Sequence, residues 1–323
     1  MIKFIARRIL FSIPVLIVSS FIVFWGIRQT FDPTAKYRTS RDAARLIAEK
    51  RKEFGLDHPI VVQWWNWGTK FIRGDWGISS STNDKVTQMV SRAMGFTIQL
   101  IIWGVLISLI IAICIGVYSA VRQYSVADYA FTGISYLGVA MPPFWFALLA
   151  IQFLSVEPKL HWHLAHPILF FVGLHSSGQS GFNLDYVRHL ILPVTTLTVQ
   201  TVAVWSRFQR ASMLDVLSAD YIRTARAKGL RRRTVIFRHA LRNALLPLVS
   251  QTAVDAGALF GGLIITESIF SIPGMGRLFL AALLVGDVNV ILAWMLVGAV
   301  FVILFNLLAD VVYGFLDPRI RVQ

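Results

Sequence analysis

Cysteine and acidic residues are scarce in this chain of 323 residues, and each scarcity excludes something. A single cysteine, Cys114, rules out a disulfide framework and a thiolate metal quartet. No lysine follows a glycine anywhere, so a Gly-Lys-Ser/Thr phosphate loop cannot exist, and any nucleotide energy must come from another polypeptide. Gly-x-Ser-x-Gly, His-Glu-x-x-His and paired intramembrane carboxylates are missing as well, which argues against catalysis by this chain. Charged residues amount to only 15%, and period-2 strand patterns of about ten residues are lacking, so a β-barrel is not expected.

What the chain has in abundance is apolar sequence: 56% hydrophobic residues and a mean hydropathy of +0.63. Charge-free windows cover Ile9 to Ile27, Met94 to Val121, Tyr129 to Val156, His189 to Ser206 and Val288 to Ala309; Asn243 to Thr266 is interrupted only by Asp255. A hydrocarbon core about 30 Å thick needs roughly 20 helical residues, so the fold class expected is an all-α polytopic membrane protein with six transmembrane helices. Lys3, Arg7 and Arg8 before the first window resemble a signal peptide, but the run is long and lacks a small-x-small cleavage site, so a retained first helix is expected. The organisation expected is a cytoplasmic start and first span over 1–28, an outside interfacial segment over 29–93, a five-helix core over 94–316 and a cytoplasmic tail over 317–323. The shorter run Leu164 to Leu174 reads as interfacial or re-entrant.

The formal charge of +14 would point to nucleic acid in a soluble chain. Here it follows topology. With the N-terminus inside, the cytoplasmic segments carry Lys3, Arg7, Arg8, Arg122, the ten Lys/Arg of 207–242, Arg319 and Arg321, against Lys159, Arg188 and Arg277 in the short outside loops. Both termini are therefore expected in the cytoplasm, the protein in a bacterial cytoplasmic (inner) membrane, and no nucleic acid among its partners. The basic island 207–242 contains a short helix from Ser218 to Gly229, with Ser218 or Asp220 available to cap its start and Gly229 suited to a left-handed end. Such a helix between two spans is a docking site for a cytosolic partner.

Three other places carry polar chemistry. Asp42 to Phe54 reads as a solvated amphipathic helix stopped by Gly55, followed by Trp64, Trp65, Trp67 and Trp76, whose rings suit the outer headgroup level. His161, His163 and His166 have a metal-like spacing but no nearby thiolate or carboxylate, so no metal is expected. In the fifth span, Gln251 and Asp255 share a helical face and are the candidates for a translocation path, a structural Asp bonded to a neighbouring helix being the alternative. Gly257 and Gly261 lie well round the helix from them, as close packing requires.

Motifs in order along the chain then carry a resemblance. They are Ile5-Ala6-Arg7-Arg8-Ile9-Leu10, Phe54-Gly55-Leu56-Asp57-His58-Pro59, Arg73-Gly74-Asp75-Trp76-Gly77, Asp220-Tyr221-Ile222-Arg223-Thr224-Ala225-Arg226-Ala227-Lys228-Gly229, His239 to Pro247, Glu267-Ser268-Ile269-Phe270, Pro273-Gly274-Met275-Gly276 and Leu316 to Arg321. Over nearly its full length the chain resembles the first permease subunit of the dipeptide/oligopeptide/nickel class of ATP-binding-cassette importers.

The resemblance implies an importer for peptides, with nickel chelates, glutathione or glycosides as alternative cargo; an ion-coupled secondary transporter using Asp255 is the rival mechanism. It implies as partners a second, homologous permease, two ATPase subunits, an extracytoplasmic binding protein and the lipid bilayer. Cofactors are expected to be none in this chain, with ATP and Mg on the ATPases. Ala219, Asp220, Tyr221, Arg223, Thr224, Ala225, Lys228, Gly229 and Leu230 would couple to an ATPase, and Glu267, Pro273, Gly274 and Gly276 would form an outer gate or loop. Relative to the importer pattern Glu-Ala-Ala-x-x-x-Gly, Ala225 and Gly229 fit, while Arg223 stands in place of the acid.

Overall fold

Runs of apolar residues with few glycines or prolines inside them close their backbone hydrogen bonds locally, and the computed structural model is helical accordingly. It describes residues 2–39 and 41–316; the tail 317–323 lies outside them. The first long helix, α1 (Ile2–Thr30), leads through a 3-10 turn at Ala35–Thr39 to α2 (Ala43–Glu53) and α3 (Ile60–Ile72). α4 (Val86–Val121) follows, then α5 (Val126–Ala140), α6 (Pro143–Ile151) and, after a π turn, α7 (Glu157–His161). α8 (Leu184–Ser218), α9 (Asp220–Ala227), α10 (Arg232–Thr234) and α11 (Leu241–Gly262) come next, with α12 (Ile264–Ile269), α13 (Met275–Val285) and α14 (Val288–Leu316) last.

Four helices have the length and apolarity to cross a membrane among the described residues: Ala6–Thr30 of α1, α4, α8 and Val288–Val311 of α14. Val126–Ala140 with Pro143–His161 makes a fifth only if a bend of 104° is taken as one broken span. This departs from the continuous helix expected over Tyr129 to Val156. Pro142 and Pro143 are the cause. Neither has an N–H to donate, and the first forces Met141 out of the helical region, to φ −81 and ψ 122. The Gln200 amide on α8 donates to the Met141 carbonyl at 2.9 Å, so the break leaves no bare acceptor there. By contrast, α8 runs unbroken through Pro193 and on to Ser218, twelve residues past Ser206. The first part of the basic island is thus helix, and not all of its cations face solvent: Arg210 holds Asp128, 3% exposed, through two 2.9 Å bonds.

α4 packs along α8, and α5 packs against both α8 and α4; α11 joins α8 to α14, and α1 lies against α14. Where α11 meets α14, Gly257 lets the backbones close: an added Cβ would sit 3.1 Å from the Phe305 Cβ. The side-chain surroundings of Gly261 lie outside the described residues. Two main buried clusters result. The larger includes Phe24, Leu100, Leu192, Phe260 and Phe270, and the smaller, at the other end, includes Met213, Ile222 and Ala240.

The segment 29–93 is packed onto this body. α2 buries nothing and ends where Gly55 predicts. In α3, Trp64 and Trp67, with Phe71, share a face at i, i+3 and i+7. Trp64 meets Phe21 edge-on at 5.6 Å and donates to the Ser20 hydroxyl, Trp67 meets Phe24 at 5.5 Å, and Trp76 stacks on Phe71 at 4.6 Å. Of the four tryptophans only Trp65, off that face, is largely exposed. The run Leu164 to Leu174 is irregular and tied down by backbone bonds, Phe170 to Arg188 and Gly173 to Phe270.

The firmest link between segment 29–93 and the core was not expected. The Asp287 carboxylate, buried just before α14, accepts from the Ser79 hydroxyl at 2.6 Å, from the Ser80 N–H at 2.8 Å and, at 3.3 Å each, from the Ser81 N–H and hydroxyl. Its other oxygen accepts from the Val290 N–H at 3.4 Å, capping α14. Asp287→Asn replaces one acceptor oxygen by a donor facing donors and removes the charge, so it should cost about 2 kcal/mol. The expected result is earlier protease cleavage within 29–85 of the membrane-inserted chain, and unchanged cleavage kinetics would count against the link.

Candidate functional site

The basic helix α9 is built to be held on one face and presented on the other. Ile222 and Ala225, three residues apart, are buried against Val117, Ala120, Met213, Val235, Ala240 and Ala244. Asn243, at the start of α11, donates to the Tyr221 hydroxyl at 2.9 Å, adding a polar tie to the same support. Asp220, Tyr221, Arg223, Thr224, Lys228, Gly229 and Leu230 are exposed, and Ala219 is half-buried. Arg223 stands 3.7 Å from Asp220, a solvated pair of little energetic weight.

The ends of α9 differ from each other in how they meet expectation. Neither Ser218 nor Asp220 caps the start: Ser218 closes α8 by bonding to the Asp215 carbonyl, and the cap position is Ala219, without a side-chain bond. α8 simply continues too far for Ser218 to be free. The other end behaves as expected. Gly229 takes φ +73; its N–H reaches the Arg226 carbonyl at 3.0 Å and the Leu230 N–H reaches Ala225 at 3.4 Å, the paired bonds of a Schellman end. A Cβ at Gly229 would meet nothing within 4 Å, so the glycine serves backbone conformation and leaves open space around it.

In the middle of α11, Gln251 and Asp255 are joined to a third residue that sequence reasoning missed. The Trp205 indole N–H on α8 donates to Asp255 at 2.7 Å, and the Gln251 amide donates to its other oxygen at 2.8 Å. Asp255 is half-buried with both oxygens engaged, so the pair lies at the α8–α11 contact. Nothing in the residue types signals Trp205, because the pairing depends on how two helices are staggered.

Glu267, Pro273, Gly274 and Gly276 converge as a unit. Glu267 on α12 is wholly buried. One carboxylate oxygen accepts from the Thr97 hydroxyl of α4 at 2.5 Å, and the other from the Arg277 N–H at 3.0 Å, in the first turn of α13. The Thr97 oxygen in turn accepts from the Met275 N–H at 2.8 Å. Gly274 and Gly276 permit this approach. A Cβ on Gly274 would fall 2.2 Å from a Glu267 oxygen, and one on Gly276 would fall 2.6 Å from the Ile264 backbone. The tight turn at Pro273 brings the first turn of α13 back over α12. Burial pushes the Glu267 carboxyl up from its ordinary value, against the pull of its Thr97 and backbone donors. Thr97 was missed as well; a lone hydroxyl in an apolar window is a weak signal. The histidines 161, 163 and 166 show no metal-like grouping with other ligand types among the described residues.

Comparison with known proteins gives the family. Residues 112–322 match the family described as the binding-protein-dependent transport system inner membrane component, and residues 1–101 match the N-terminal description of such membrane components. The chain is 36% identical over 325 residues to the oligopeptide transport system permease protein AppB of Bacillus subtilis, covering 99% of each chain. It is 34% identical over 328 residues to OppB of Mycobacterium tuberculosis, covering all of both, and 35% identical over 340 residues to the dipeptide transport system permease protein DppB of Escherichia coli, covering 99% of each.

Proposed function

Because the chain belongs to the family of binding-protein-dependent transport system inner membrane components, we propose that it is one permease half of an ATP-driven peptide importer. The observation that carries this is full-length similarity to oligopeptide and dipeptide permeases together with a basic helix whose exposed face is left free at one end of the fold. The chain crosses the membrane six times, with α11 and the bent α5–α6 pair counted as spans; the 22 residues of α11 reach about 33 Å. Both termini and α9 face the cytoplasm. A second, similar permease completes the passage, two ATPases bind beneath, each with its own ATP and Mg, and a binding protein delivers peptide from outside.

Mechanically, α9 works as a foot. Its buried face is fused to the ends of α4, α8 and α11 through the cluster around Met213 and Ile222. A push on the exposed face therefore moves helix ends rather than bending a loop. At the outer side, the Glu267 lock fixes α12 and α13 to α4, so tilting of α4 carries the outer loop with it. Asp255 and Gln251, joined to Trp205, brace α11 against α8 beside the passage.

The test is uptake of radiolabelled peptide in cells lacking the gene for this chain and complemented with it. Uptake is expected to require the chain, an intact ATPase partner and ATP, and to survive collapse of the proton gradient at constant ATP. Uptake driven by an ion gradient without any ATPase subunit would overturn the reading.

A further inference from the structure

We propose that the outer end of this chain carries a phosphate-group site centred on Arg28, separate from the transport path. It lies in a cavity of about 530 Å³ between the last turn of α1, helices α2 and α3, and the start of α14, a volume within the usual range of ligand sites. Trp67 and Trp76 form part of its wall.

The central observation is a guanidinium with two unmatched donors. The Nε and Nη1 atoms of Arg28 are buried and have no hydrogen-bond partner. A guanidinium always carries its charge and offers five N–H donors, so donors withdrawn from water without an acceptor are costly. Phe24, completely buried, lies under the guanidinium at 5.2 Å and fixes its position. Nearby carboxylates do not supply the missing acceptor. Asp32 is taken up by Thr34 and Arg38, Glu53 pairs with Lys50, Asp75 accepts from the Gly77 N–H, and Asp287 is filled by residues 79–81 and Val290. Lys70 also borders the cavity and forms no ion pair among the described residues. Arg28 and Lys70 thus border one polar space, and the carboxylates around it leave two Arg28 donors without an acceptor.

Depth selects the class of anion. Arg28 lies two residues inside the outer end of a 25-residue apolar helix, Ala6–Thr30, the level at which phospholipid phosphates sit. Trp65, Val61 and Ile72 are exposed on α3 beside it, as expected for a helix at that level. A phosphate group, whether a lipid phosphodiester or free phosphate, would accept from Arg28 and be drawn by Lys70.

The complete transporter assembly, purified in detergent, tests this by thermal unfolding with added phosphatidylglycerol, phosphatidylcholine or inorganic phosphate. Stabilisation on the order of 3 °C by either lipid, lost in Arg28→Gln and partly kept in Arg28→Lys, supports a headgroup site. The same pattern with inorganic phosphate and no lipid effect supports a free-phosphate site. Should Arg28→Gln fail to assemble, Lys70→Gln, an exposed change, decides by weakening the same stabilisation. Equal stabilisation of wild type and variants, or none by any probe, overturns the proposal.

Discussion

Glu267→Ala should lower the stability of the assembled transporter by about 4 kcal/mol and abolish uptake with it. The carboxylate is buried and is the shared acceptor for α4 and the first turn of α13. Truncation strands the Thr97 hydroxyl and the Arg277 N–H in a site too tight to admit water freely, because Gly274 and Gly276 press against α12. Uptake at wild-type rate, or an unchanged unfolding temperature, would refute the role of the lock. Glu267→Gln is milder, since it retains one carbonyl acceptor, and it isolates the charge. Burial raises the wild-type carboxyl above its ordinary 4.5, so the folded chain holds the proton more tightly than the unfolded one. The resulting stability is fully present below the unfolded value and is lost as pH rises through the raised folded value. Wild type should therefore lose stability relative to Glu267→Gln across that window and then level off; a flat difference would show that burial does not dominate.

Gly229→Asp should reduce uptake at least about tenfold, the equivalent of roughly 1.4 kcal/mol, while leaving membrane insertion intact. At φ +73 an aspartate is tolerated at modest cost, and nothing within 4 Å obstructs its Cβ, so the fold should survive. What changes is the free face of α9, where a carboxylate would project beside Lys228 and Leu230 into the space proposed for the ATPase. Co-purification of the ATPase and the ratio of ATP hydrolysed to peptide transported are the readouts. Normal uptake with normal ATPase association would remove α9 from the coupling role.

Individual residues show where sequence reading succeeds. Gly229 was legible because only a few residue types accept positive φ, and a glycine following a polar helical run has few other uses. The face of α9 was legible for a related reason: Ile222 and Ala225 recur at helical spacing among charged residues. The run Tyr129 to Val156 was misread because hydropathy averages over a window, whereas Pro142 and Pro143 act on one peptide bond each. Ser218 was misassigned as a cap because the end of α8 depends on packing against α4 rather than on local residue type.

Composition and periodicity alone determined that this chain is helical, apolar and basic at one end, since burial of backbone groups in lipid and the placement of cations are properties of segments. The tertiary structure alone decided which acids matter. Asp287 binds residues more than 200 positions away, Glu267 meets Thr97 across 170 positions, and Asp255 finds Trp205 on another helix. Such contacts follow from the relative height and rotation of packed helices, which a linear sequence encodes only through the sum of all its packing choices.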